Sequence, residues 1–170
     1  MNSILNATLA LWIALIFGVA AVTKFFAWNE LPGVVQNFRV LPRVLVAPIA
    51  IILPFLEASI ALGLLMEVTR LWAAILAAGL FAIFGVALAV NFQRGRRLID
   101  CGCFRSDLKQ TITKVILARN FILMICAGSL VVGSTTMRSP LEWVLAGLAA
   151  PTLFFCYLSI GLLFQTRRVA

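Results

Sequence analysis

The chain has 170 residues, of which 63% are hydrophobic and 12% are charged, and its mean hydropathy is +1.08. Soluble domains carry about 45–50% apolar and about 25% charged residues, so the composition excludes that class. The net charge of +8 does not indicate nucleic-acid binding, because the basic residues flank apolar runs, as expected near anionic lipid headgroups. The absence of histidine argues against haem, zinc–histidine and catalytic-triad sites.

Five apolar runs, each near the roughly 20 residues that span a bilayer, predict membrane helices over residues 5–27, 44–66, 71–90, 112–132 and 141–164. The first run lacks the basic leader and small-residue cleavage site of a removable signal, so we expect it to remain as a helix. No internal repeat or soluble domain interrupts the pattern. The predicted fold is therefore a single all-α integral membrane domain, residues 1–170, with a bundle of about five transmembrane helices.

The connecting segments differ in character. Residues 28–43 contain two Leu-Pro steps, which disfavour helix just before each proline. The apolar residues between them suggest a short segment at the membrane interface, although an ordinary loop is equally compatible. Pro48 and Pro54 interrupt the second apolar run and predict a kink there. Residues 91–113 form the most charged loop of the chain.

That charged loop contains the sequence Asp100-Cys101-Gly102-Cys103-Phe104. Residues two apart do not face each other on a helix, so a disulfide between Cys101 and Cys103 requires a bend that Gly102 permits. Such a small ring is expected to be strained and to exchange readily, and it would contribute little as a staple. Several nearby arginines would lower the thiol pKa, while Asp100 would oppose this or accept a proton during exchange. The spacing therefore favours a redox dithiol.

Other interpretations of the four cysteines stay open. A soft-metal site such as one for Cu(I) would also use paired thiols, but no further Cys-rich or His-rich motif accompanies the pair, and we assign no metal. In a further interpretation, Cys101 and Cys103 are close in sequence by chance and have no chemical role. Cys126 and Cys156 lie within predicted helices and are interpreted as small buried hydrophobes, with a resolving thiol or a second pair in the bundle as the alternatives.

Ionisable and polar residues also occur within the apolar runs. Glu57 and Arg119, with Asn120 beside it, lie at depths that predict contact between the second and fourth helices. A structural ion pair is the first interpretation, and a polar site for a quinone or a proton path is the functional one, which makes a quinone a candidate cofactor. In the third interpretation the two side chains are separate and each extends to the lipid headgroups. Lys24, near the end of the first helix, is expected to extend to the headgroups in the same way.

The distribution of basic residues predicts the orientation. With five spans, residues 28–43, residues 91–113 and the C-terminus share one side of the membrane. With the helix-end lysines that side has eleven basic residues, and the opposite side has only Arg70 and Arg138. The positive-inside rule therefore places Cys101 and Cys103 on the cytoplasmic side.

The motifs together resemble the MauE family of methylamine-utilisation membrane proteins, grouped with DoxX-type redox-associated proteins. The matching features, in chain order, are residues 17–24, Phe38-x-x-Leu41-Pro42, Leu53-Pro54-Phe55-Leu56-Glu57 with Gly63, Asp100-Cys101-Gly102-Cys103-Phe104, and Arg119-Asn120. The family pattern usually continues with glycine after the phenylalanine, whereas this chain has Arg105. The resemblance covers residues from about 14 to 125.

The resemblance implies that this chain lies in the bacterial inner membrane and helps to mature methylamine dehydrogenase, whose exported small subunit is rich in disulfides. It also implies a thioredoxin-like partner. The four-helix core is also similar to vitamin K epoxide reductase, which is an analogy at the level of the fold. The first functional hypothesis is therefore a thiol–disulfide redox protein that assists disulfide formation in an exported enzyme. The second is a non-catalytic membrane chaperone or accessory subunit of a larger complex.

Overall fold

The computed structural model describes residues 3–95, 114–132 and 140–166, and in the last range the side chains of residues 144–159. These residues form helices, and no strand occurs among them. The helices are α1 (Ser3–Phe26), α2 (Leu31–Asn37), α3 (Arg43–Leu65), α4 (Arg70–Gln93), α5 (Lys114–Val132) and α6 (Pro140–Thr166). The all-α class predicted from the sequence is confirmed.

The five predicted membrane helices correspond to α1, α3, α4, α5 and α6, with ends that agree within three residues. The largest difference is at α4, which continues to Gln93, so Asn91 belongs to the helix and not to the following loop. Gly95 then adopts φ +72°, and its amide donates to the Phe92 carbonyl. A glycine in the left-handed region just after the last turn is a common helix terminator.

Residues 28–43, predicted as a loop or interfacial segment, contain the seven-residue helix α2. Pro32 lies in its first turn, where the missing amide hydrogen costs nothing. Leu31 is buried, and α2 packs against α3. The apolar residues that suggested an interfacial segment therefore belong partly to a helix packed on the bundle.

Small residues allow the helices to approach closely. α1 packs against α3, α5 and α6, and α4 packs against α3 and α5. Ala10 and Ala14 on α1 and Ala74 and Ala77 on α4 are buried in the common core. Because lipid provides no hydrophobic drive between helices, such close backbone approach is the main source of packing energy in a membrane bundle. Phe17 and Phe81 fill the space between α1 and α4, with ring centroids 4.8 Å apart.

The outward face of the bundle is apolar. Val44, Trp72 and Ile83 are 85%, 68% and 65% exposed, and they belong to a large set of exposed hydrophobic side chains. Four helices, α1, α3, α4 and α5, are long and apolar enough to cross a membrane, and α6 contains a shorter apolar stretch, Val144–Ser159. An apolar outer surface on helices of this length is the signature of a multi-pass membrane protein.

A tight turn joins α3 to α4, as the sequence predicts. The Thr69 hydroxyl donates to the Gly63 carbonyl and the Arg70 Nε–H donates to the Leu64 carbonyl, each at 3.0 Å. These bonds satisfy carbonyls at the end of α3 that have no partner within the helix. A Cβ atom at Gly63 would lie 2.9 Å from the Ala73 Cβ, so this glycine sets the distance between the two helices.

Gly63→Ala is therefore expected to destabilise the bundle by about 1–3 kcal/mol, the usual cost of overpacking. Gly79→Ala on α4 is the matched control, since a Cβ there meets nothing within 4 Å. It should leave stability unchanged or raise it by up to about 1 kcal/mol through helix propensity. Unfolding in mixed micelles by denaturing detergent measures both. Equal stability of the two variants would contradict the close approach.

Candidate functional site

The most buried ionic contact among the described residues joins α1 to α3. The Lys24 Nζ lies 2.6 Å and 2.7 Å from the two carboxylate oxygens of Glu57. The side chains are 4% and 1% exposed, so water is excluded from both partners. One ammonium group therefore donates to both oxygens of one carboxylate in an apolar interior, where the attraction between the charges must offset their desolvation.

Two elements bring this pair together. Glu57 is the fifteenth of the 23 residues of α3, roughly 21 Å from the start of that helix at about 1.5 Å per residue. Lys24 lies only two residues before the end of α1. α1 therefore ends beside the middle of α3, and α2 packs on α3 beyond that point. The ion pair marks where the chain leaves α1 and begins α2.

The predicted contact between Glu57 and Arg119 is wrong. Both carboxylate oxygens of Glu57 bond to Lys24, which was expected to extend to the headgroups and is instead buried. The prediction compared depths along each helix and assumed that α1 ended at the membrane surface. In the structure α1 ends beside the middle of α3 and α2 packs on α3 after it, so the lysine near the end of α1 reaches Glu57.

Arg119 instead faces an aromatic side chain of α6. Its guanidinium carbon lies 4.9 Å from the centroid of the Tyr157 ring, which is a cation–π contact. The Trp12 ring of α1 packs edge-on against the same tyrosine, with centroids 6.2 Å apart. Sequence reasoning missed Trp12 and Tyr157. The available signal was that Tyr157 is the only tyrosine of the chain and lies in an apolar run.

Asn120 is adjacent to Arg119 in sequence but contacts a different helix. Its Nδ2 donates to the Phe81 carbonyl of α4 at 2.6 Å and lies 2.9 Å from the position that a Cβ at Gly85 would occupy. Successive residues on a helix point about 100° apart, so the two polar side chains tie α5 to different neighbours. The structure therefore does not combine Glu57, Arg119 and Asn120 into one site.

Polar contacts also fix the end of the bundle from which the cysteine-containing loop extends. Asn91 is fully buried, and its Nδ2 donates to the carbonyls of Phe38 at 2.9 Å and Ala87 at 2.8 Å. The Arg94 Nη1 donates to the Arg39 carbonyl at 3.2 Å. Phe38 also packs with apolar residues of α4 and α5, namely Leu88, Phe92, Ile116 and Leu117. The segment after α2 and the end of α4 therefore lie on one side of the bundle, as predicted.

Asp100, Cys101 and Cys103 lie outside the described residues, so their predicted roles stay predictions. Cys126 is half-buried on α5, while Cys156 is exposed on α6 rather than buried as expected. The described parts of the chain contain no cluster of three or more metal-binding side chains.

Comparison with known proteins gives a consistent family. A family model for the methylamine utilisation protein MauE matches residues 2–133. The MauE protein of Paracoccus denitrificans is 40% identical over 91% of this chain and 84% of its own length. The MauE protein of Paracoccus versutus is 36% identical over 96% of this chain and 91% of its own length. The MauE protein of Methylorubrum extorquens is 42% identical over 68% of this chain and 62% of its own length. No solved structure matches, so the likeness to vitamin K epoxide reductase stays a prediction.

Replacing Lys24 by Met should leave the Glu57 carboxylate unpaired and lower the free energy of unfolding by about 3–5 kcal/mol. The double variant Lys24→Met/Glu57→Met should recover much of this loss, because no isolated charge remains. Unfolding in mixed micelles gives the coupling energy, with Arg43→Gln at the exposed start of α3 as the control. A cycle that showed no Lys24–Glu57 coupling but strong Glu57–Arg119 coupling would contradict the observed pairing.

Proposed function

This chain belongs to the MauE family of methylamine utilisation proteins, and we propose that it is a membrane thiol–disulfide redox protein that assists disulfide formation in an exported enzyme. The proposed substrate class is a disulfide-containing exported subunit, as in methylamine dehydrogenase maturation. The proposed location is the bacterial inner membrane. The observation that carries the proposal is the pair Cys101 and Cys103, separated by a single glycine.

The chemistry of the pair supports this role. A disulfide across one residue closes a very short ring, which makes it reactive in exchange rather than useful as a staple. Arg94, Arg96, Arg97 and Arg105 are close in sequence and would favour the thiolate form that performs exchange. The charged loop that carries the pair joins α4 to α5, two membrane-spanning helices that pack on each other. A partner would therefore meet the pair at one face of the membrane.

Each exchange step balances without a further reactant. A substrate thiolate attacks one sulfur of the Cys101–Cys103 disulfide, and the other sulfur leaves as a thiolate. A second substrate thiolate then attacks the mixed disulfide, which gives a substrate disulfide and leaves the pair as a dithiol. Two electrons and two protons pass from substrate to pair, with Asp100 as a local proton acceptor. The disulfide of a thioredoxin-like partner restores the oxidised pair by the reverse exchange.

A quinone would be an alternative oxidant, but the residues predicted to hold it do not come together. Glu57 is paired with Lys24, Arg119 lies on Tyr157, and Asn120 bonds to α4. The polar site expected between α3 and α5 is therefore not formed by these side chains.

A non-catalytic chaperone or accessory subunit is the second candidate. Three polar contacts of the described bundle join one helix or connecting segment to another, namely Lys24 with Glu57, Asn91 with Phe38 and Asn120 with Phe81. A scaffold of this kind could hold a partner without any thiol chemistry. Full activity in cells after replacement of both Cys101 and Cys103 by serine would favour this second candidate.

The redox proposal predicts that Cys101 and Cys103 interconvert between dithiol and disulfide. In a Cys126→Ser/Cys156→Ser background, the thiol titre of purified protein across a glutathione redox series should change by two per chain in one transition. The same background with Cys103→Ser is the control and should show no intramolecular transition. A pair that keeps one state from strongly reducing to strongly oxidising buffer would refute the redox role.

The charge distribution predicts that the pair faces the cytoplasm. In intact spheroplasts carrying the same Cys126→Ser/Cys156→Ser background, a membrane-impermeant maleimide added after mild reduction should label the pair only once the membrane is permeabilised. In that case the thiols that exchange with the pair belong to a cytoplasmic thiol carrier, and the pair does not oxidise the exported subunit directly. Rapid labelling from the outer face would overturn the predicted orientation and would favour direct oxidation of the exported subunit.

A further inference from the structure

Two buried nitrogen donors of the bundle have no hydrogen-bond acceptor within residues 3–95, 114–132 and 140–166. The Nε of Arg119 and the Nε1 of Trp12 are both buried, and neither has a partner among the described residues. They belong to different helices, α5 and α1, yet both side chains contact the ring of Tyr157 on α6. A buried N–H group without an acceptor costs about 1–3 kcal/mol, and more when the group is charged.

Among the described residues, the charge of Arg119 also has no opposite charge beside it. A guanidinium group stays protonated at all physiological pH values. No carboxylate of the described residues lies within ion-pair distance of Arg119, and both carboxylate oxygens of Glu57 accept hydrogen bonds from Lys24. Arg119 as a whole is half-buried, and its cation–π contact with the tyrosine ring contributes about 0.5–2 kcal/mol, which offsets part of this cost. The Nε atom still has no hydrogen-bond acceptor among the described residues. An intramembrane cation in this condition indicates a missing anionic partner.

We propose that Trp12, Arg119 and Tyr157 form a binding site for an oxyanion, such as the phosphate of an anionic phospholipid or a phosphate group from solution. The guanidinium group presents planar donors that match two oxygens of one oxyanion. The indole N–H supplies a further donor from α1, and the Tyr157 ring holds the guanidinium plane. The ligand would join α1, α5 and α6, and its charge would neutralise Arg119.

This site is independent of the cysteine pair, so its test does not depend on the redox proposal. The assay measures binding to the purified full chain in a neutral detergent, by native mass spectrometry and by titration calorimetry. Phosphatidylglycerol and inorganic phosphate are the probes, and diacylglycerol, which has the acyl chains but no phosphate, is the negative control. Binding of phosphatidylglycerol alone identifies a lipid ligand, and binding of both probes identifies a phosphate site that is open to solvent.

We expect one oxyanion probe bound per chain. Arg119→Gln should abolish binding. Trp12→Phe keeps an aromatic ring on Tyr157 but removes the N–H donor, and it should weaken binding about tenfold, which corresponds to the loss of one hydrogen bond to a charged group. Because phenylalanine preserves the packing, this variant remains informative if Arg119→Gln does not fold.

Two variants serve as matched controls. Trp72→Phe removes an indole N–H from a side chain that is 68% exposed on α4, and Arg43→Gln removes an exposed cation at the start of α3. Both should bind the probe as the parent chain does. Three results would each overturn the proposal: no probe binds, diacylglycerol binds as well as phosphatidylglycerol, or Trp12→Phe and Arg119→Gln bind with unchanged affinity.

Discussion

The buried contact between Lys24 and Glu57 is the constraint on which the rest of the bundle depends. Two opposite charges with almost no exposure can persist in an apolar interior only if they stay in contact, because either charge alone would be strongly unfavourable. This requirement fixes the position of the end of α1 along α3. The close approach of Gly18 on α1 to Ala61 on α3, where an added Cβ would lie 3.9 Å from the alanine Cβ, is compatible with the same antiparallel pairing.

The short helix α2 follows from that constraint. Because α1 ends beside the middle of α3, the first half of α3 needs another neighbour, and α2 packs there. Asn91 and Arg94 at the end of α4 then bind the carbonyls of Phe38 and Arg39 just after α2. The ion pair in the interior is thus connected, through α2, to the end of the bundle from which the loop with Cys101 and Cys103 leaves. Redox chemistry in that loop would act from a scaffold in which the flanking helix α4 is tied to the segment after α2.

The polar residues of α5 divide between two roles. Asn120 completes its hydrogen bonding with a main-chain carbonyl of α4, and a glycine at position 85 leaves room for it. Arg119 has an aromatic neighbour but no carboxylate partner in the part of the chain that the structure describes. Packing alone does not explain a cation in an apolar bundle that has no counter-ion among the described residues. For this reason we assign an anionic ligand to the site at Trp12, Arg119 and Tyr157. The proposed redox role and the proposed oxyanion site depend on different residues and can be tested separately.

The sequence by itself determined the all-α class, the positions of the five long helices and the family. Apolar runs of bilayer length and the order of short motifs such as Asp100-Cys101-Gly102-Cys103-Phe104 are local features, and they can be recognised without knowing which helices touch. The tertiary structure decided that Glu57 pairs with Lys24, that Arg119 lies on Tyr157, and that residues 31–37 form a packed helix. Depth along a helix limits the candidate partners of a buried charge. The choice among them depends on where each helix ends and which face it turns to its neighbours, and both are properties of the assembled bundle.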